Sequence, residues 1–340
     1  MRKLIMKTER LTNQETQRAG DLLKAGEVVA FPTETVYGLG ADATNDEAVK
    51  KVFIAKGRPS DNPLIMTVAD IAQLDPFVTI SDMAQLLMAH FWPGSLTIIL
   101  PIKPGKVSML VTGGLQTVAF RLPDNDVARA VIRAAGVPIV GPSANTSGKP
   151  SPTTAAHVWH DMQGKIAGIV DDGPTQIGVE STVIDMSATT PTILRPGAVT
   201  QQQLEAVLNM PVVDATSTKS VASNVTPKAP GMKYRHYAPD KNVVMFDRLD
   251  ALDLKNELQK NDVVMAQEPT LSAMQLSLDQ SWSLGETLES ATEQLFSGLR
   301  FYDDEIQVAT IYVEKMSPIG LGKAYNNRLA KSAGNQEFSV

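Results

Sequence analysis

Cysteine is missing altogether from this chain of 340 residues. Its absence rules out disulfides, thiolate nucleophiles and cysteine-ligated metals, and fits a reducing compartment. Histidine is scarce, with His90, His157, His160 and His236 the four present. His157 and His160 stand three apart, as two ligands on one helix face would, but no Glu accompanies them at ligand spacing. They read as helix-face residues, and no protein-held metal is expected. Long apolar runs are also lacking: nothing approaches the roughly 18 uninterrupted residues of a membrane span. The start, Met1-Arg2-Lys3-Leu4-Ile5-Met6-Lys7, has its charge too early and its apolar stretch too short for a signal peptide. A cytoplasmic protein with no membrane partner is the expectation. Excess positive charge is absent too. A net charge of −6 argues against broad electrostatic binding to nucleic acid, whose nonspecific affinity comes from Lys and Arg neutralising phosphates, and leaves room for a local basic site. No Walker A sequence occurs, which excludes a P-loop ATPase.

What is present is a globular composition, 43% apolar and 20% charged, in a chain longer than one core usually supports, so two domains are expected. Capping boxes at Thr12 to Glu15 and Thr44 to Glu47 predict two early helices on either side of a buried strand at 28–31. Strand-like runs follow at 64–69, 96–102, 117–122, 138–140, 166–170, 182–186 and 192–194, with helical patterns at 81–91, 126–135, 154–161 and 200–208. Such alternation predicts an α/β layer with a mixed sheet. Residues 214–229 lose periodicity and read as a linker. Beyond it, strands at 242–246, 262–266 and 307–313 alternate with helices from Leu249, at 286–300 and at 323–332. The expected division is a catalytic domain over 1–212, a linker over 213–240 and a smaller parallel α/β domain over 241–340.

Two glycine patterns invite a nucleotide reading and fail it. Gly38-Leu39-Gly40-Ala41-Asp42-Ala43 is separated from the preceding strand by Pro32 to Tyr37, and Gly320-Leu321-Gly322 has Tyr325 where the third Gly belongs. A distributed set of donors is more telling. Lys56 and Arg58 precede Pro59 and Pro63, Ser143 and Asn145 lie between Pro142 and Gly148, and Arg121 and Arg195 each end a strand before Pro. Loops held at strand ends are where α/β proteins bind ligands. The carboxylates Glu34, Asp171, Asp172 and Glu180 could hold magnesium with substrate phosphates, or simply solvate and cap. Trp92-Pro93-Gly94 reads as core and turn.

The segments FPTETVYGLG (31–40), KGRPSDNPL (56–64), WPGSLTIIL (92–100), GPSANTSGKPSPT (141–153), GVESTVID (178–185) and ILRPG (193–197) closely resemble the YrdC-type threonylcarbamoyl-AMP synthases. PGMKYRHYAP (230–239), followed by a second α/β domain, looks like the long two-domain form, L-threonylcarbamoyladenylate synthase. The resemblance implies a twisted mixed sheet with a large basic cavity, joined to a Rossmann-like C-terminal domain. It also implies a reaction in which L-threonine, bicarbonate and ATP, accompanied by Mg2+, give threonylcarbamoyl-AMP and pyrophosphate for N6-threonylcarbamoyladenosine in tRNA. Carried over residue by residue, Lys56, Arg58, Ser143 and Asn145 form the catalytic tetrad. Arg58, Asn62, Thr117, Asn145, Ser151, Arg195 and Tyr237 belong to the ATP site, and Thr35, Thr67, Arg121, Ser143 and Ser181 to the threonine site. Thr67 stands where many relatives are expected to carry His, so a hydroxyl replaces a group that can carry charge.

Lys233, Arg235, His236 and Tyr237, framed by Pro230, Gly231 and Pro239, suit a lid that closes over the cavity and keeps water from a mixed anhydride, or else a basic tether. Downstream tRNA threonylcarbamoyl-transfer proteins are the expected partners, with direct tRNA binding not required. Two other readings remain open: an RNA-binding module using the same basic concavity, which the acidic charge and few aromatic platforms disfavour, and a carbamoyl-phosphate-using transferase, which would bring further domains and Cys clusters.

Overall fold

The computed structural model describes residues 7–216 and 236–339. Its described strands form two sheets. The larger contains β1 (Glu9–Thr12), β2 (Val29–Phe31), β3 (Gly38–Asp42), β4 (Ile65–Thr67), β5 (Leu96–Pro101), β6 (Thr117–Arg121), β7 (Ile139–Val140), β8 (Gly168–Asp171), β9 (Thr182–Asp185), β10 (Thr192–Arg195) and β11 (Val213–Asp214). Their spatial order is β1-β8-β2-β3-β7-β4-β6-β5-β9-β10-β11. Pairing is mixed: β3 runs antiparallel to β2 and β7, whereas β4 with β6 and β5 with β9 are parallel. The smaller sheet holds β12 (Asn242–Phe246), β13 (Asp262–Ala266), β14 (Ser281–Ser283) and β15 (Thr310–Glu314), all parallel, in the order β12-β15-β13-β14. The helices are α1 (Thr16–Lys24), α2 (Asp46–Lys56), α3 (Asp82–Phe91), α4 (Met109–Thr112), α5 (Asp126–Ala135), α6 (Ala155–Met162), α7 (Gln201–Leu208), α8 (Ala251–Glu257), α9 (Glu268–Met274), α10 (Leu288–Asp304) and α11 (Leu321–Ser332).

The expected mixed sheet and parallel second sheet are both present, for reasons visible locally. Strand β5 is buried along its length until Pro101, as a doubly covered strand must be, and its Leu-Thr-Ile-Ile-Leu run supplies the side chains for both faces. On α5 the apolar stripe Ala128, Val131, Ile132 and Ala135 packs with Ala19, Leu22 and Leu23 of α1. Asn125 caps α5 by accepting from Ala128 N at 2.8 Å.

Several expectations shift. The helix expected at 286–300 begins two residues later and runs on to Asp304, the strand at 307–313 becomes β15, and Leu249 lies in a 3-10 turn (Arg248–Asp250) that leads into α8. At α2 the cap is Asn45, whose Oδ1 accepts from Glu47 N and Ala48 N, rather than Thr44. Glu15 accepts from Thr12 N and Oγ1 ahead of α1, one half of the expected box. The Gly38-Leu39-Gly40 stretch is strand β3, not a phosphate turn: a Cβ on Gly38 would sit 2.5 Å from the Phe31 ring on β2. The larger sheet continues to Asp214 through β11, past the expected boundary at residue 212.

The two sheets share a buried interface. Val36, Val179 and Tyr237 belong to the same apolar cluster as Leu295, Phe296 and Tyr325. Gly178, at φ 81°, meets α10 so closely that a Cβ would lie 2.5 Å from Glu293 Cα, and only glycine fits both demands. Arg300 on α10 grips both carboxylate oxygens of Asp161 on α6, at 3.1 and 3.0 Å. No helix among the described residues is long and apolar enough to cross a membrane.

Candidate active site

A cavity opens where β2, β4, β6, β7 and β10 end and where β3 and β9 begin. It encloses about 790 Å³, part of it open to solvent. Helix α2 delivers Lys56 to its edge and stops at Gly57, whose left-handed φ of 62° turns the chain. Lys56 is 2% exposed; its Nζ donates to Ser143 O, and to Asn145 O at 2.8 Å. Burial and the neighbouring Arg58 guanidinium push the Lys56 ammonium well below its usual value, while the two carbonyl acceptors favour the proton it carries. Ser147 N returns a hydrogen bond to Lys56 O at 2.8 Å. Ser143 Oγ donates to Asn145 Oδ1 at 2.5 Å, and Asn145 Nδ2 reaches Thr146 O and Lys149 O at 2.8 and 2.9 Å. Arg58 Nη2 donates to Pro63 O at 3.0 Å. Lys56, Ser143 and Asn145 are thus one hydrogen-bonded unit, with Arg58 beside it on the cavity wall.

A second wall comes from β4 and β6, where Thr67 and Arg121 are register partners. Arg121 Nη2 lies 2.7 Å from Glu34 Oε2, an ion pair whose angle falls outside hydrogen-bond geometry, and Ser95 Oγ donates to Glu34 Oε1 at 3.1 Å. Gly141 faces Thr67 so closely that any Cβ would collide with its hydroxyl.

The third wall is Arg195 and Ser181. Arg195 donates through Nε to Ser181 O at 3.0 Å and through Nη2 to Ser181 Oγ at 3.1 Å, and Ser181 Oγ also meets Thr97 Oγ1 at 2.7 Å. Glu180 accepts from Ser151 Oγ, and from Arg328 Nε at 2.9 Å. Burial alone would raise the Glu180 carboxyl, but the Arg328 and Arg195 guanidiniums hold it down to about 2. His236 and Tyr237 close the fourth side. Tyr237 adopts φ 63°, its carbonyl accepts from Ser332 Oγ at 2.7 Å, and Ala238 N donates to Gly148 O at 2.9 Å. Burial, and next to it the Arg58 charge, lowers His236 to about 4; its Nε2 is buried without a hydrogen-bond partner among the described residues.

Among the described residues, Lys56, Arg58, Arg121, Lys149 and Arg195 therefore line the cavity against a single carboxylate, Glu180, already neutralised from behind. Such a lining concentrates anions and stabilises charge developing on them.

The sequence comparisons give this geometry its context. A family model described as "Telomere recombination" matches residues 21–197, and one described as "Threonylcarbamoyl-AMP synthase, C-terminal domain" matches residues 199–334. A threonylcarbamoyl-AMP synthase of Bacillus subtilis (strain 168) is 46% identical over 337 residues, 97% of this chain and 96% of its own. The chain belongs to the threonylcarbamoyl-AMP synthase family. A family member from Pyrococcus abyssi is 42% identical, with 98% of each chain covered. The crystal structure of P. abyssi Sua5 complexed with L-threonine superposes with a TM-score of 0.88 at 40% identity, covering 98% of this chain and 99% of that one.

Of the residues carried over from the synthase family's pattern, Lys56, Arg58, Thr67, Arg121, Ser143, Asn145, Ser181, Arg195 and Tyr237 all line this cavity. Four others are not among its lining residues. Thr35 is fully buried with its hydroxyl on Thr33 Oγ1 at 2.9 Å, and Ser151 lies behind Glu180. Thr117 begins β6, the strand that Arg121 ends, roughly 13 Å away at strand rise. Asn62 is buried with Oδ1 lacking a hydrogen-bond partner among the described residues. Lys233 and Arg235 fall outside the described residues.

The four carboxylates considered for magnesium are otherwise engaged: Glu34 with Arg121, Glu180 with Arg328, Asp171 with Gly173 N, and Asp172 with Asn13 and Asn125. His157 and His160 sit at the sheet interface beside Asp161, away from the cavity lining. Lys149, the Glu34–Arg121 pair and the Arg328–Glu180 pair were not anticipated. Partners up to 148 positions apart in sequence leave no local pattern to read.

Proposed function

We propose that this cavity forms threonylcarbamoyl-AMP and pyrophosphate from L-threonine, bicarbonate and ATP. The observation that carries the reading is the cation-lined cavity built by the tetrad, in a chain of this family. The threonine ammonium gives up a proton and its nitrogen bonds the bicarbonate carbon, with loss of water. A carbamate oxygen then attacks the α-phosphorus, and the bond to the β-phosphate oxygen breaks, with pyrophosphate taking the electron pair. Every reactant is anionic or becomes so, and positioning with charge stabilisation dominates such transfers.

In this scheme Lys56 braces the Ser143 to Asn145 loop, and Arg58 faces the carbamate and phosphates. Arg121 exchanges Glu34 for the threonine carboxylate in a bidentate pair, with Thr67, Thr35, Ser143 and Ser181 completing the threonine pocket. Arg195, Asn145, Tyr237 and Asn62 serve the nucleotide, Asn62 through its unpaired Oδ1; Ser151 acts through Glu180, and Thr117 lies at the far margin. Magnesium enters as substrate, on the triphosphate. We also assign residues 1–212 to catalysis, 213–240 to a lid that leaves the larger sheet after Val213 and Asp214 of β11 and ends in His236 and Tyr237, and 241–340 to a second domain. Cytoplasmic operation and hand-over to tRNA threonylcarbamoyl-transfer proteins belong to the same proposal.

Labelled bicarbonate tests the reading: with threonine and magnesium-ATP, label enters a threonine-containing adenylate. ATP cleavage with no label in an adenylate would overturn it. Replacing 230–239 by a Gly/Ser sequence abolishes formation if the segment is a lid, whereas wild-type turnover would leave only a tether.

A further inference from the structure

The largest fully buried side chain among the described residues belongs not to the catalytic sheet's apolar core but to Arg328, on the last helix. A guanidinium removed from water is tolerated only when its donors are met. Nε donates to Glu180 Oε2 at 2.9 Å, Nη2 to Glu180 O at 3.1 Å and Nη1 to Pro196 O at 2.6 Å. Glu180 and Pro196 are the immediate chain neighbours of Ser181 and Arg195, a pair of cavity residues that hydrogen-bond each other. One side chain therefore fixes the spacing of the strand end that carries Arg195 and the loop that carries Ser181.

Charge gives Arg328 a second task. Glu180 lines a cavity otherwise suited to anions, where an unpaired carboxylate would repel a triphosphate. Arg328 cancels it from the side away from the cavity. The helix that carries Arg328 is itself tied to the smaller sheet through Tyr325, whose hydroxyl donates to Glu314 O at 3.0 Å. One turn beyond Arg328, Ser332 holds Tyr237 at the cavity's fourth side.

We propose that Arg328 is a positioning residue of the reaction: it sets the Ser181–Arg195 wall and neutralises Glu180 beside the nucleotide, so that the C-terminal unit is part of the active site. The inference rests on the function proposed above and adds to it a residue that touches no substrate.

The test is steady-state pyrophosphate release by the full chain as wild type, R328M, R328K and E180Q/R328M, with K315A, whose ammonium pairs with Asp247 and Glu337, as a control. Thermal melts and threonine calorimetry run on the same preparations. R328M raises KM for both ATP and threonine by about tenfold, with a smaller change in kcat. R328K keeps the charge but not the three-way geometry, so KM for ATP stays within about threefold of wild type while KM for threonine rises by about tenfold. E180Q/R328M removes both charges, so KM for ATP recovers and KM for threonine does not. K315A behaves as wild type. If R328M fails to fold, R328K and the double variant carry the test. Wild-type KM for threonine in these two folded variants would overturn the positioning role. Absence of threonine-dependent release in the wild-type chain is a different result, and would overturn the proposed function instead.

Discussion

Both sheets end their parallel strands in loops where α/β proteins commonly bind ligands, yet the two ends are built in opposite ways. In the larger sheet the ends of β4, β6 and β10 place Thr67, Arg121 and Arg195 on the cavity lining, Arg121 beside Glu34 and Arg195 on Ser181. In the smaller sheet the end of β15 presents Glu314, 2% exposed, and its own neighbours consume it: Arg248 Nε and Thr270 Oγ1 donate to Oε1 at 3.0 Å, and Gln267 N donates to Oε2 at 2.8 Å. One crevice is an open cavity lined by cations, while the other is filled by a carboxylate whose hydrogen bonds are internal. Similar topology therefore places a possible site without supplying one, and function follows the side chains at the strand ends.

The contrast can be broken most forcefully at the tetrad. Lys56→Ala frees the carbonyls of Ser143 and Asn145, and Arg58→Ala removes a charge from the cavity wall; each is expected to lower kcat/KM for pyrophosphate release by at least about a hundredfold. Activity within threefold of wild type in either variant would remove that residue from the account. Glu34→Gln strands the Arg121 cation, so urea unfolding shows a loss of about 3 kcal/mol. Saturating threonine restores part of that loss, because its carboxylate takes the vacated place. Equal loss with and without threonine would separate Arg121 from the threonine site.

Acid sharpens the comparison further. Burial lowers His157 and His236 from 6.5 to about 4, so the unfolded chain binds protons that the folded chain refuses. Stability present above pH 6.5 is lost as pH falls toward 4, with a slope approaching about 1.4 kcal/mol per pH unit for each histidine. The carboxyls of Asp161 and Glu180, held at about 2 against ordinary values of 3.8 and 4.5, extend the loss below pH 4.5. His157→Gln flattens the upper part of that curve in denaturation at stepped pH, and an unchanged slope would contradict the burial argument. The smallest effect is expected at the filled crevice: Glu314→Gln loses about 1–3 kcal/mol of stability and leaves KM for ATP unchanged. A raised KM would mean that the smaller sheet takes part in nucleotide binding.

Much of this was legible in sequence where the signal is local. The apolar run of β5, the helical pattern at 126–135 that becomes α5 and the Lys-Gly-Arg-Pro and Ser-Ala-Asn segments each announce their conformation or chemistry within a few residues. Strand β3 was hidden because its glycines argue against a strand, and only the Phe31 ring across the sheet explains them. Strands β1 and β14 carry too few apolar residues to be periodic. The cavity's support, Arg328 on Glu180 and Arg300 on Asp161, joins residues 148 and 139 positions apart, so only the folded chain brings the pairs together.

The most direct measurement is pyrophosphate release from magnesium-ATP by the purified chain, with threonine and bicarbonate each supplied and withheld. Release that requires both co-substrates is the predicted result. Release indifferent to threonine, or none under any combination, would contradict the assignment of the cation-lined cavity to threonylcarbamoyl-AMP formation.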